Sequence, residues 1–97
     1  MRSDRLNRMT KDEAERLSIE ALSFLAGRPE ELGRFFALSG LDPRSLREAA
    51  LDSGFLGGVL DFLLGGEELL LVFSEEKCLD PATISLARQC LAGNPDR

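Results

Sequence analysis

Leu41-Asp42-Pro43 and Leu79-Asp80-Pro81 are two copies of one tripeptide, offset by 38 positions, and they decide how the chain folds. Aspartate followed by proline is typical of a helix start, because the carboxylate accepts a free backbone N–H and proline fits the first helical turn. Gly40 precedes the first copy, and a left-handed glycine commonly closes a helix. Each tripeptide therefore predicts the beginning of a helix. Gly40, just before the first tripeptide, predicts the end of the preceding helix.

The similarity between the two halves extends well beyond the tripeptides. When residues 21–50 are placed beside residues 59–88, eleven of thirty positions are identical. Such self-similarity indicates a duplicated unit. We expect three helices in each copy, at about residues 14–51 and 52–92, with the two copies packed together in pseudo-twofold symmetry.

Other helix boundaries follow the same logic. Thr10 and Glu13 have the spacing of a capping box, in which each side chain satisfies a free backbone N–H. Thr10, Asp42 and Asp80 are thus predicted to be structural helix caps. The run 69–73 has the composition of a strand, but a lone strand has nothing to pair with, so a helix is expected. The predicted fold class is all-α, a compact bundle of about six short helices.

Length and composition predict one globular domain. The chain has 97 residues, of which 43% are hydrophobic and 30% charged, which is enough to build a core without metals or disulfides. We expect a flexible basic tail at residues 1–9, one helical domain at 10–93 and a C-terminal tail at 94–97. The longest apolar run is far too short for a membrane span, and no secretory signal is recognisable, so a cytoplasmic location is expected.

Charge is distributed unevenly along the chain. Residues 1–11 carry a net charge of +3, residues 52–97 carry −5, and the whole chain carries −5. A solvated basic tail on an acidic domain is the favoured interpretation. The alternative is that the tail contacts nucleic acid or an acidic partner. The acidic balance argues against nucleic acid, because neutralising phosphates supplies most of that affinity.

Five further segments are distinctive: Glu20–Ala26, Leu32–Phe35, Leu38–Pro43, Val59–Leu64 and Leu79–Pro81. Together they resemble a small bacterial family, the domain of unknown function numbered 3572. The resemblance covers about residues 14–92, and Gly40-Leu41-Asp42-Pro43 is its most specific part. It implies a compact helical protein of the bacterial cytoplasm, and it brings no catalytic or binding residue with it. Cys78 departs from the pattern, because it stands where a glycine is expected.

No catalytic constellation is recognisable, so an enzyme is not predicted, and neither is a cofactor or a metal. Histidine is absent, which removes the commonest general base and metal ligand. Cys78 and Cys90 lack the paired spacing of a zinc site. Cys90 is interpreted as structural, whereas Cys78 is the one possible reactive thiol, because Lys77 beside it would favour the thiolate. Gly57-Gly58 either permits a close helix contact or delays a helix start.

Positions where the two copies differ point to a candidate partner surface. Glu31, Arg34 and Glu48 of the first copy correspond to the apolar residues Leu69, Val72 and Leu86 of the second. One interpretation is that the monomer buries these groups, or that Leu6 and Met9 cover them. The other is that Leu69, Val72 and Leu86 form an exposed patch for an unknown partner protein or for self-association.

The functional hypothesis is accordingly a protein–protein interaction module or adaptor that uses this apolar patch. The alternative is a homodimeric structural protein or an acidic regulatory protein. A thiol-dependent or metal-binding activity ranks last, since only Cys78 and a scatter of carboxylates support it.

Overall fold

The computed structural model describes residues 9–92, and within them the chain forms six α-helices, one 3₁₀ turn and no strand. The predicted all-α fold class is confirmed, including a helix rather than a strand at residues 69–73. The predictions about the two tails fall almost entirely on residues 1–8 and 93–97, which lie outside the described part. The elements are α1 (Lys11–Ala26), α2 (Pro29–Ser39), the 3₁₀ turn (Pro43–Ser45), α3 (Leu46–Ala49), α4 (Ser53–Gly65), α5 (Glu67–Glu76) and α6 (Pro81–Leu91).

Polar side chains begin four of these elements. Thr10 and Glu13 form the reciprocal capping box of α1, with N···O distances of 3.0 and 3.1 Å. Asp80 accepts the backbone N–H of Ala82 at 2.9 Å at the start of α6, and Asp52 caps α4 in the same way. Asp42 accepts the backbone N–H of Arg44 at 3.0 Å, at the 3₁₀ turn. That bond, and then the Arg44 side chain, lower the pKa of Asp42.

The core is built around α1, α4 and α6, which pack against one another along their lengths. The helix α2 adds Phe35 to this core, and α5 adds Phe73, whose ring meets Phe24 edge-to-face at 5.1 Å. Burial of apolar surface in this three-helix centre is the main source of stability. The buried apolar side chains are Ala14, Ala21, Leu22, Leu25, Phe35, Leu56, Val59, Leu60, Leu63, Phe73, Ile84, Ala87 and Leu91.

The third elements of the two sequence copies are not equivalent. In the second copy α6 buries Ile84, Ala87 and Leu91 in the core. In the first copy the 3₁₀ turn and α3 bury no residue completely, and only Leu46 and Ala50 pack against the core from this segment. The order of the helices therefore repeats, while the pseudo-twofold packing of the two copies remains a prediction.

The helices α2 and α5 end in the same left-handed backbone conformation. Gly40 has φ 72° and its N–H reaches the carbonyl of Phe36. Cys78 has φ 55°, and the N–H groups of Cys78 and Leu79 reach the carbonyls of Glu75 and Ser74, which is the Schellman pattern. A non-glycine residue in this conformation costs roughly 1 kcal/mol. Cys78 thus occupies a position that glycine would fill with less strain.

Gly57 allows the side chain of Arg88 to lie directly on α4. A Cβ atom on Gly57 would stand 3.0 Å from Arg88 Nη1 and 3.2 Å from Cζ, whereas one on Gly58 would meet nothing within 4 Å. The helix α4 begins at Ser53, so the glycine pair does not delay a helix start. Close contact between α4 and α6 is the role that the structure gives to Gly57.

Candidate partner groove

A surface groove lies between α2, the C-terminal end of α4 and the first half of α5. Its volume is about 640 Å³ and it is open to solvent. Gly66 separates α4 from α5 and is one of the residues that line this groove. We call this site the first groove. Its lining residues are Arg28, Glu31, Arg34, Leu38, Asp61, Phe62, Gly65, Gly66, Glu67, Glu68, Leu69 and Val72.

The apolar part of the first groove consists of three half-buried side chains, Phe62, Leu69 and Val72. The ring of Phe62 packs edge-to-face against the buried ring of Phe35, with 5.4 Å between the ring centres. Leu69 packs against the core. Leu38 extends the apolar surface at the edge and is 76% exposed. The groove thus combines half-buried apolar side chains with one, Leu38, that is largely exposed.

Most charged groups along the first groove already have a partner within the chain. Arg34 Nη1 lies 3.2 Å from Glu31 Oε1, and its guanidinium stands 5.9 Å from the centre of the Phe62 ring. Arg28 lies 4.7 Å above the ring of Phe24. These contacts hold both arginines against aromatic faces, an arrangement that favours cations.

Asp61 connects the first groove to the core helix α6. Its Oδ1 accepts the Nε–H of Arg88 at 2.7 Å, and this hydrogen bond raises the pKa of Arg88. Arg88 reaches Asp61 by lying over Gly57. The charge of Asp61 is therefore largely neutralised by an arginine that comes from another helix.

The unpaired charge of the first groove is acidic. Glu67 and Glu68 occupy the exposed first turn of α5, and neither forms an ion pair among residues 9–92. Arg28, in contrast, does form an ion pair, in which its Nη2 lies 3.7 Å from Oε2 of Glu76. Carboxylates at a helix N-terminus are favoured by the helix dipole, which explains their presence there. They leave the mouth of the groove with a net negative charge.

The structure brings together two of the three apolar residues singled out in the sequence. Leu69 and Val72 line the first groove, one turn apart on α5, while Leu86 lies on α6 and is not among the lining residues. All three are half-buried. Met9 packs against the core, and Leu6 lies outside the described residues. A single patch formed by Leu69, Val72 and Leu86 remains a prediction.

The two cysteines have different surroundings. Cys90 is half-buried and its thiol donates to the carbonyl of Met9 at 2.9 Å, which ties the start of α1 to the end of α6. Cys78 is exposed at the C-terminal end of α5. The predicted reactivity of Cys78 depends on Lys77. The Nζ atom of Lys77 lies 3.6 Å from Oε1 of Glu20 on α1. Within residues 9–92 no cluster of cysteine and carboxylate side chains could hold a metal ion.

Sequence reasoning missed Phe62, Arg34 and Asp61 as residues of this groove. The comparison of the two sequence copies names Arg34 only as the polar counterpart of Val72, and it assigns neither Phe62 nor Asp61 to a surface. Phe62 lies on α4, whereas Leu69 and Val72 lie on α5, because the helix is interrupted after Gly65. The helical spacing within either helix therefore does not predict that the three side chains meet. The useful signal was the exchange of Arg34 for Val72 between the copies, since both side chains line the same groove.

The fold and this groove define a small helical domain that carries an open, partly apolar groove. The family described as "Protein of unknown function (DUF3572)" matches residues 11–94, so the chain belongs to that family. The resemblance noted in the sequence is thereby confirmed. No curated protein is significantly similar to the chain, and no solved structure is either. Across residues 9–92, the helices lack the length and apolar character needed to cross a bilayer.

Proposed function

We propose that the chain is a protein-interaction module that binds a segment of a partner protein in the first groove. The observation that carries this proposal is the apolar floor of Phe62, Leu69 and Val72 beside Glu67 and Glu68, which have no ion-pair partner in the part of the chain that the structure describes. Such a floor favours apolar anchor residues of a peptide segment. The acidic mouth favours basic residues next to those anchors, because complementary charges steer association and select partners.

The open form of the first groove supports a peptide segment rather than a small metabolite. Sites for small molecules usually enclose most of the ligand and converge a few polar groups on it. Here Arg34 is engaged with Glu31, and Asp61 with Arg88. The apolar floor of Phe62, Leu69 and Val72 and the carboxylates of Glu67 and Glu68 remain accessible, which suits an extended or helical segment that carries apolar and basic side chains.

Val72→Glu is the most direct test of this function. Val72 is half-buried, lines the groove, and is not among the side chains that pack on the core, so we expect the variant to fold with unchanged helical circular dichroism. Leu71→Glu is the matched control, because Leu71 is its neighbour on α5, is 51% exposed and does not line the groove. Leu86→Glu tests whether α6 belongs to the same surface.

The wild type and these three variants would be used for affinity capture, and each captured protein would be purified and titrated directly. We expect one partner to bind the wild type and Leu71→Glu but not Val72→Glu. Loss of binding with Leu71→Glu to the same extent would contradict the assignment to the first groove. Sedimentation across a range of concentrations separates the alternative, since a dimer that Val72→Glu dissociates would indicate a homodimer instead.

A further inference from the structure

A second groove of about 640 Å³ lies between α1 and the segment formed by the 3₁₀ turn and α3. It shares no lining residue with the first groove. The segment that forms one wall is anchored weakly, because no residue between Phe36 and Phe55 is fully buried. The lining residues are Ile19, Leu22, Ser23, Ala26, Pro43, Arg44, Leu46, Arg47 and Ala50.

Two apolar rows face each other across this second groove. Ile19, Leu22 and Ala26 follow one another at helical spacing along α1. Leu46 and Ala50 oppose them from α3 and pack against the core. Leu22 is buried, whereas Ile19 is 40% exposed and Ala26 is exposed, so residues 9–92 leave the two ends of the row on α1 accessible.

The charge of the second groove is opposite to that of the whole chain. Its charged lining residues are Arg44 and Arg47, and none of the carboxylates of residues 9–92 lines it, although the chain carries a net charge of −5. Arg44 Nη2 forms an ion pair with Asp42 Oδ2 at 3.1 Å. Arg47 is exposed and forms no ion pair within residues 9–92. Arg47 therefore presents an available guanidinium beside an apolar surface.

We propose that the second groove binds an acidic amphipathic segment of a partner protein, independently of the first groove. Apolar side chains of the segment pack between Ile19 and Ala50, and a carboxylate on the same segment pairs with Arg47. An arginine–carboxylate pair combines charge with directed hydrogen bonds, which makes it more selective than apolar contact alone. The chain then offers two docking sites of opposite charge.

The shape of this site favours a protein segment over a lipid surface. The site is a concave groove between two elements, which fits a narrow segment better than the broad plane of a bilayer. Anionic vesicles nevertheless belong in the test as a competing probe.

The test is an NMR titration of the full chain with three short synthetic helical peptides. The first has leucine on one face and glutamate on the other, the second is its scrambled sequence, and the third has lysine in place of glutamate. We expect the first peptide alone to shift the amide signals of Ile19, Ala26 and Ala50. Arg47→Glu should weaken its binding about tenfold or more, equivalent to about 1.4 kcal/mol.

Matched variants make each outcome decisive. Arg16→Glu reverses the same charge on α1 outside the groove, where Arg16 is 77% exposed and paired with Asp12, and it should leave the peptide affinity within about threefold. Val72→Glu should also leave it unchanged. The proposal is overturned if the first peptide does not bind, if the lysine peptide binds equally, or if vesicles rather than the peptide produce the shifts. It is also overturned if Val72→Glu abolishes binding, because the peptide would then occupy the first groove.

Discussion

Cys78 and Gly40 adopt the same left-handed backbone at equivalent positions of the two copies, with φ 55° and 72°. We predict that Cys78→Gly raises the free energy of unfolding by about 0.5–1 kcal/mol, because glycine removes the steric cost of this conformation. Gly40→Ala should lower it by about 1 kcal/mol for the same reason. Chemical denaturation of the two variants measures both changes.

Cys78→Ala separates the backbone effect from the loss of the thiol. Alanine removes the sulfur but keeps the strained conformation, so its stability should stay near that of the wild type. If Cys78→Ala stabilised the chain as much as Cys78→Gly, the strain would not be the cause.

Ser74 is the buried polar side chain without a hydrogen-bond partner among the described residues. It is 4% exposed on α5. We predict that Ser74→Ala raises the free energy of unfolding by about 1 kcal/mol, because it removes an unsatisfied hydroxyl from the interior. Thermal denaturation should show an increase in Tm of about 4–8 °C.

Ser18→Ala is the matched control for that change. Ser18 is equally buried, but its hydroxyl donates to the carbonyl of Ala14 at 2.8 Å. The Ser18 variant should therefore gain less than the Ser74 variant or lose stability. An equal gain at both positions would show that helix propensity, not the missing hydrogen bond, determines the result.

At the scale of elements, the two Asp-Pro caps support structures of unequal importance. Asp80 begins α6, which buries Ile84, Ala87 and Leu91, whereas Asp42 begins a 3₁₀ turn with no buried residue. We predict that Asp80→Ala lowers the free energy of unfolding by about 1 kcal/mol and that Asp42→Ala lowers it by clearly less. Urea denaturation of the two variants provides the comparison.

Acidification offers an independent check on the Asp42 cap. Its pKa is lowered in the folded chain by the Arg44 backbone N–H and then by the Arg44 side chain. The stabilising contribution of Asp42 is therefore present above its unfolded pKa and is lost as the pH falls through the lower folded pKa. Asp42→Asn should reduce this part of the pH dependence of the free energy of unfolding.

The ranking of the two caps has its own contradicting result. It would be wrong if Asp42→Ala lowered the free energy of unfolding at neutral pH more than Asp80→Ala does.

The packing of α6 on α4 gives a further prediction at Gly57 and Gly58. Gly58→Ala should raise the free energy of unfolding by about 1 kcal/mol, because a helix-interior glycine is replaced where there is open space. Gly57→Ala should raise the free energy of unfolding by less, because the Arg88 guanidinium must move to make room for the new methyl group. Equilibrium unfolding measures the difference between the two.

Repeating both substitutions in an Arg88→Ala background isolates the cause. Without the guanidinium, Gly57→Ala should gain about as much as Gly58→Ala. A difference that persists in this background would mean that Arg88 is not what makes Gly57 sensitive.

The starts and ends of the elements were predictable because they depend on local chemistry. Thr10 and Glu13 form their capping box from side chains three residues apart, and Gly40 ends α2 through its own backbone freedom. The unequal burial of α3 and α6 was not predictable in this way. Both follow the same Leu-Asp-Pro signal, and the difference arises from which of them packs into the core.

At the scale of the whole molecule, the first groove depends on contacts between residues distant in sequence. Phe62 is fixed by Phe35, and Asp61 is held by Arg88 of α6. Leu69 and Val72 could be chosen from the sequence because they are apolar where the first copy is charged. That comparison also selected Leu86, which the fold places outside the groove, since a repeat in sequence does not specify which helices become neighbours.

The two grooves share no lining residue. Among residues 9–92, the lining side chains that form no ion pair are acidic in the first groove, Glu67 and Glu68, and basic in the second, Arg47. The two proposed partner segments would therefore be distinguished by charge.

Calorimetric titration of the purified partner segment against wild type, Val72→Glu and Leu71→Glu tests the first groove most directly. We expect Val72→Glu to weaken binding by about 100-fold, roughly 2.7 kcal/mol, because it places a carboxylate on the apolar floor, and Leu71→Glu to change it by less than about threefold. Equal losses in the two variants, or full affinity in Val72→Glu, would contradict a partner site in this groove.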